Sequence, residues 1–195
     1  MNLARAGALA LILGLCGCAS MQTARFQGTT LAGQAAPDFT LTDHHGNPWT
    51  LSGQRGRVVA LFFGYTHCAD TCPATLAKLA KAIEAQGNDA NNAEIAFVTV
   101  DPARDTPAAM NRYIARFGGR TIVGLTGDAA DISRVEHAYH VWAQKIPGSH
   151  RSADDYDDSH SSIVYLIDRN GHERVVHDDD DRLSAFSADI HTLLQ

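Results

Sequence analysis

The chain is poor in cysteine and aromatic residues and has no excess of basic charge, with 4 cysteines in 195 residues and 7% aromatics. Each shortage excludes something. So few cysteines cannot make the dense disulfide framework of small secreted scaffolds. A net charge of −6 supplies no basic stripe to neutralise a phosphate backbone, so nucleic acid is not expected as a partner. No apolar run approaches the roughly 18 residues that a membrane-spanning helix needs. There is no internal repeat, and no proline follows Pro147. The remaining composition, 45% hydrophobic and 19% charged, fits one globular domain able to bury its own core, plus an appendage.

The appendage is N-terminal. Arg5 precedes an apolar stretch, Ala6 to Leu15, of about ten residues, the length of a signal-peptide core. It ends in Leu15-Cys16-Gly17-Cys18, which resembles a bacterial lipoprotein cleavage box. The expectation is a lipoprotein signal peptide over 1–17, lipidation of Cys18, a flexible tether over 18–36 and a folded domain over 37–195. The protein is then exported to the periplasmic side of the cell envelope and held at a membrane by its acyl anchor. Which membrane it is stays open. An ordinary secretory signal peptide is the alternative.

Cys68 and Cys72 are then the only thiols left in the folded domain. A disulfide across so short a loop constrains the unfolded chain little, so the pair reads as chemical rather than structural. The pair follows a continuous apolar run, Arg57 to Tyr65, expected as a central buried strand. It precedes a helix opened by Pro73 and running to about Gln86. Residues 38–42 and 49–51 alternate around His44-His45-Gly46-Asn47 as a β-hairpin. Strands are expected at 94–100, 122–125, 162–167 and 173–177, and helices at 105–117, 129–139 and 182–194. Residues 144–160 read as a long polar loop. This order predicts an α/β, thioredoxin-like fold with an N-terminal β-hairpin extension.

A helix N-terminus favours thiolate, and thiolate serves redox and metal chemistry alike. His160, directly before the strand at 162–167, separates the two. In thioredoxin-like folds that loop faces the dithiol, and oxidoreductases usually place a cis proline there. An imidazole beside two thiolates suits Cu(I) and can hold Cu(II). Zinc would want a fourth ligand, for which His67 or Asp70 could be proposed. Asp157 or Asp158 is expected to orient the imidazole, and Asp105 to cap the helix after it. The run His177 to Asp181 reads as a solvated turn, and Trp49 and Trp142 as packing residues.

Gly64-Tyr65-Thr66-His67-Cys68-Ala69-Asp70-Thr71-Cys72-Pro73 resembles the motif of the Sco/SenC family, exported copper proteins that help assemble cytochrome c oxidase. Val100-Asp101-Pro102-Ala103-Arg104-Asp105-Thr106-Pro107 is similar to that family's second signature. Ser159-His160-Ser161 with Tyr165-Leu166-Ile167-Asp168 is similar to its third. The resemblance covers about residues 36–195. It implies copper ligands at Cys68, Cys72 and His160. It also implies a chaperone that delivers copper to the dinuclear copper site of an oxidase subunit and is reloaded after reduction by a periplasmic thiol reductase. The family often has aspartate where Ser159 stands. The rival reading is an enzyme, a thiol–disulfide oxidoreductase in which Cys68 and Cys72 cycle through a disulfide.

Overall fold

The computed structural model describes residues 25–118, 121–147 and 156–195. Ten strands are described: β1 (Thr29–Thr30), β2 (Thr40–Asp43), β3 (Pro48–Thr50), β4 (Val58–Gly64), β5 (Ala93–Thr99), β6 (Ile122–Thr126), β7 (Ala143–Pro147), β8 (Tyr156–His160), β9 (Ile163–Ile167) and β10 (Glu173–Asp178). Four helices join them: α1 (Thr71–Glu84), α2 (Pro107–Ile114), α3 (Ala129–Ala138) and α4 (Leu183–Leu194).

Eight strands form one sheet in the order β1-β10-β9-β4-β5-β6-β2-β3. β4, β5 and β6 run parallel, β9 pairs antiparallel with β4, and β10 pairs antiparallel with β9 on its far side. Every residue of β4 is buried, as a central strand covered on both faces requires. α1 buries Cys72, Leu76, Leu79 and Ile83, one stripe of a 3.6-residue period. It packs on β5 and on α4, which in turn touches β4, while α2 lies against β6. This is the thioredoxin-like α/β arrangement, extended at one edge by the hairpin β2–β3. No described helix is long and apolar enough to cross a membrane.

Three expectations are corrected. The segment read as a polar loop over 144–160 contains a second two-stranded sheet, β7 paired antiparallel with β8 from Ala143↔His160 to Pro147↔Tyr156. Its polar strands carry no apolar alternation, so the periodicity was silent there. The segment read as tether over 18–36 is ordered from residue 25. There β1 pairs with β10, Ala35 bridges to His172, and the amides of Gln27 and Gly28 donate to the buried carboxylate of Asp189 at 2.8–2.9 Å. Trp49 packs as expected, whereas Trp142 is 54% exposed. Residues 1–24, including Cys16 and Cys18, lie outside the described residues.

The run from His177 is solvated only in part. His177 is buried, with Nδ1 2.8 Å from Asp181 and Nε2 3.0 Å from Asp189, the latter off hydrogen-bond geometry. Lys78 Nζ closes the turn by donating to the carbonyls of Asp179 and Asp181, both at 2.7 Å.

Candidate metal centre

Two strand ends converge on the dithiol. β4 ends at Gly64 and leads into the Tyr65–Asp70 loop. Its antiparallel neighbour β9 begins at Ile163, just after His160. Residues that leave the end of one strand and enter the start of the other must therefore meet. Cys72 Sγ lies 3.7 Å from His160 Nε2, across 88 residues of chain. Cys68 Sγ accepts from the Cys72 amide at 3.4 Å. The structure thus brings Cys68, Cys72 and His160 together. Among the described residues, no three His, Cys, Asp or Glu side chains form a closed cage that could already hold a metal ion.

The two thiols differ in setting. α1 starts at Thr71, so Cys72 stands in its first turn and is fully buried, while Cys68 precedes the helix and is partly exposed. Asp70 is at the N-cap position but makes no side-chain cap bond. The Cys68 sulfur takes that place, receiving an amide from the first turn. The hydrogen bond from the Cys72 thiol, opposed by burial and aided by the Cys72 and Asp70 amides and by His160, lowers the Cys68 pKa to about 5. The same hydrogen bond, with burial, pushes the Cys72 thiol up. The setting thus favours thiolate on the partly exposed Cys68 and thiol on the buried Cys72. A methyl group at Gly64 would lie 2.8 Å from Cys72 Sγ and 2.7 Å from Phe97 Cε2, so only glycine leaves room for the buried sulfur.

Of the two carboxylates expected to orient the imidazole, the Asp157 side chain lies outside the described residues, and Asp158 is engaged elsewhere. His160 Nδ1 is 3.1 Å from the Ser161 carbonyl, which directs Nε2 toward the thiols. The Tyr65 ring stands edge-on to the imidazole at 5.8 Å. Asp158 does not touch the ring. It turns to Arg104 NH2 at 3.1 Å, and burial followed by the nearby Asp101 raises its carboxyl above the usual range. Arg104 also bonds Asp101 and donates to the Tyr156 carbonyl at 2.8 Å, and its guanidinium lies 3.7 Å over the Tyr156 ring. The Tyr156 hydroxyl donates to Asp101 at 2.7 Å. The loop at 100–105 therefore fastens β8, the strand that ends in His160. Tyr156 gave no sequence signal for this role, because the contact exists only once β8 is formed.

Asp105 is not the helix cap either. Thr106 caps α2 through its hydroxyl, which accepts from the Ala109 amide. Asp105 is fully buried and accepts from the Thr66 amide, the Thr66 hydroxyl and the Thr99 hydroxyl. It thereby pins the start of the cysteine loop to β5. His67 is turned toward Thr66, 3.2 Å from its hydroxyl, and toward Asp105.

The SCO1/SenC family model matches residues 27–195. The mitochondrial SCO2 homolog of Bos taurus is 37% identical over 152 residues, covering 77% of this chain and 56% of that protein. Protein sco1 of Schizosaccharomyces pombe is 37% identical over 134 residues, covering 68% and 51%. The chain thus spans about half the length of the curated relatives it matches. The copper-bound structure of ScoI from Bradyrhizobium japonicum superposes with a TM-score of 0.73 at 35% identity, covering 82% of this chain and 99% of that one.

Proposed function

The chain belongs to the SCO1/SenC family, and from that premise we propose that it is an exported copper chaperone. It binds one copper ion, as cargo, through Cys68, Cys72 and His160. It passes the ion by ligand exchange to the dinuclear copper site of a cytochrome c oxidase subunit. The observation that carries this reading is the 3.7 Å approach of His160 Nε2 to the buried Cys72 sulfur, with Cys68 beside it. Two thiolates and one imidazole form a soft donor set suited to Cu(I) and tolerant of Cu(II). The lowered Cys68 pKa means that one ligand is already deprotonated near neutral pH. Oxidation of the dithiol to a disulfide gives up two electrons and two protons and removes both sulfur ligands. Loading therefore needs prior reduction by a periplasmic thiol protein. Anchoring through lipidated Cys18 on the periplasmic side of the envelope belongs to the same proposal.

The test is a Cu(I) competition titration of the reduced protein against a chromogenic chelator. One tight equivalent is expected, weakened strongly in His160→Ala and lost in Cys68→Ala and Cys72→Ala. Tight binding indifferent to all three substitutions would remove the assignment. A second reading, thiol–disulfide oxidoreductase, is favoured by one observation: an accessible low-pKa thiol next to a buried protonated one is the asymmetry of an attacking and a resolving cysteine. On that reading His160→Ala keeps full dithiol activity toward a disulfide substrate.

A further inference from the structure

Behind the N-terminal end of β4 lies a cleft of about 790 Å³ whose rim carries Arg55, Arg169 and Arg174, with Phe26, Asp168 and Gln195. β4 runs from this end to the cysteine loop, so the cleft and the dithiol are separated by the strand's length, roughly 20 Å. The three guanidinium groups face one carboxylate side chain. Asp168 is committed: burial opposes it, but the His172 amide, the Arg174 guanidinium at 3.0 Å and the Asn170 amide hold its pKa below the ordinary value. Arg169 bonds, among the described residues, only to neutral carbonyls, those of Gly56 at 3.0 Å and Leu194 at 3.3 Å. Among the described residues Arg55 has no hydrogen-bond or ion-pair partner. Its exposed side chain lies over Gly171, where a methyl group would coincide with its guanidinium. The α-carboxylate of Gln195 would still leave the cleft positive by one charge. In a chain of net charge −6 this is a local reversal of sign.

We propose that this arginine cleft binds a phosphate-bearing anion, the headgroup of an acidic phospholipid. Guanidinium forks match phosphate oxygens in pairs, and an unpartnered Arg55 leaves one fork free. The lipid source rests on the anchoring reading, whereas the phosphate chemistry does not. Phe26, under the Arg174 guanidinium at 5.7 Å, follows Cys18 by eight residues, a reach of at most about 28 Å. An acyl group at Cys18 would therefore hold this end of the domain within about 28 Å of the bilayer, close enough for the cleft to reach the headgroups.

The experiment uses the full chain and a Cys18→Ala version, co-sedimented with phosphatidylcholine vesicles and with vesicles containing 30% phosphatidylglycerol. Arg55→Gln and the charge-matched control Arg112→Gln are made in both. Phosphatidylglycerol should add binding in both versions. That added binding should fall about fivefold in Arg55→Gln, stay unchanged in Arg112→Gln, and vanish at high salt. Calorimetric titration with inorganic phosphate separates the sources. Saturable phosphate binding that depends on Arg55, without any gain from phosphatidylglycerol, assigns the cleft to free phosphate. Equal losses in Arg55→Gln and Arg112→Gln, or no response to either ligand, overturn the proposal. Loss of phosphatidylcholine binding in the Cys18→Ala version reports only on the anchor, so the two readings fail separately.

Discussion

Asp105 offers a sharp test of how the cysteine loop is held. It is fully buried and receives the Thr66 amide on Oδ2 at 2.9 Å, the Thr99 hydroxyl on Oδ2 at 2.7 Å and the Thr66 hydroxyl on Oδ1 at 2.6 Å. In Asp105→Ala the hydroxyls can rotate toward other acceptors, but the amide cannot, so the stranded donor and the vacated space cost about 3 kcal/mol. Asp105→Asn differs in kind. With its NH₂ in the place of Oδ1, the Thr66 hydroxyl can turn to accept it and donate onward to His67 Nδ1, 3.2 Å away. The remaining oxygen keeps the amide and Thr99. Only the charge assistance is lost, about 1 kcal/mol. In a domain of this size 1 kcal/mol moves Tm by about 2–4 °C, so Ala should lose about 6–12 °C and Asn about 2–4 °C. Thermal melts of the reduced, metal-free protein followed by far-UV circular dichroism measure both. Because the pinned loop carries Cys68, Asp105→Ala should also weaken Cu(I) binding, while Asp105→Asn retains it. Equal losses of Tm in the two variants, or a loss below about 2 °C in Ala, refute this account of the loop.

Iodoacetamide should alkylate Cys68 and spare Cys72. Its rate should stay near maximal from pH 8 down to pH 6 and fall by half near pH 5, since the pKa is lowered to about 5. A half-point near pH 8–9, read by peptide mass spectrometry, would show an ordinary thiol. Glu136 has its pKa raised to about 7 by burial and by Asp158. A carboxyl whose folded pKa lies above its unfolded value is free of penalty at pH below both, and destabilises the fold progressively as pH rises from the unfolded value to the folded one, above which the penalty is complete. Glu136→Gln should therefore raise Tm at pH 8 and leave it unchanged at pH 4, and an equal gain at both would rule out titration as the cause. Asp189→Ala removes the acceptor of the Gln27 and Gly28 amides. Trypsin should then cut at Arg25 many-fold faster, beyond what the accompanying fall in Tm accounts for, and an unchanged cleavage rate would show that Asp189 does not hold the N-terminal strand.

The sequence disclosed those elements whose residues carry their own reason to form. The apolar run at 58–64 reads as a central strand, and His44-His45-Gly46-Asn47 between alternating residues reads as a hairpin turn, and both form. His160 was placed by its distance from the next strand, and the structure puts it against Cys72. Three features were hidden because long-range partners create them. β7 and β8 are polar strands whose register is secured by Arg104, Tyr156 and Asp101. The segment 25–36 looks like tether until Asp189, near the other end of the chain, is available to receive its amides. The orientation of the imidazole depends on a backbone carbonyl, which has no sequence signature, and Asp158 was unavailable because Arg104 had claimed it.

The antiparallel register of β4 and β9, with Phe62 opposite Val164, fixes where the cysteine loop and His160 emerge. Their meeting is a property of one strand pair and owes nothing to the contour length of the chain between them. Within that interval α1 carries Cys72 and the loop at 100–105 holds both the cysteine loop and β8, so insertions and deletions are expected to be tolerated in α3, which makes none of these contacts, while the three donor atoms keep their addresses. A site written into strand register tolerates drift in loops that do not touch it, whereas any slip between β4 and β9 would part the donors, a single residue already turning every side chain of the strand to the other face.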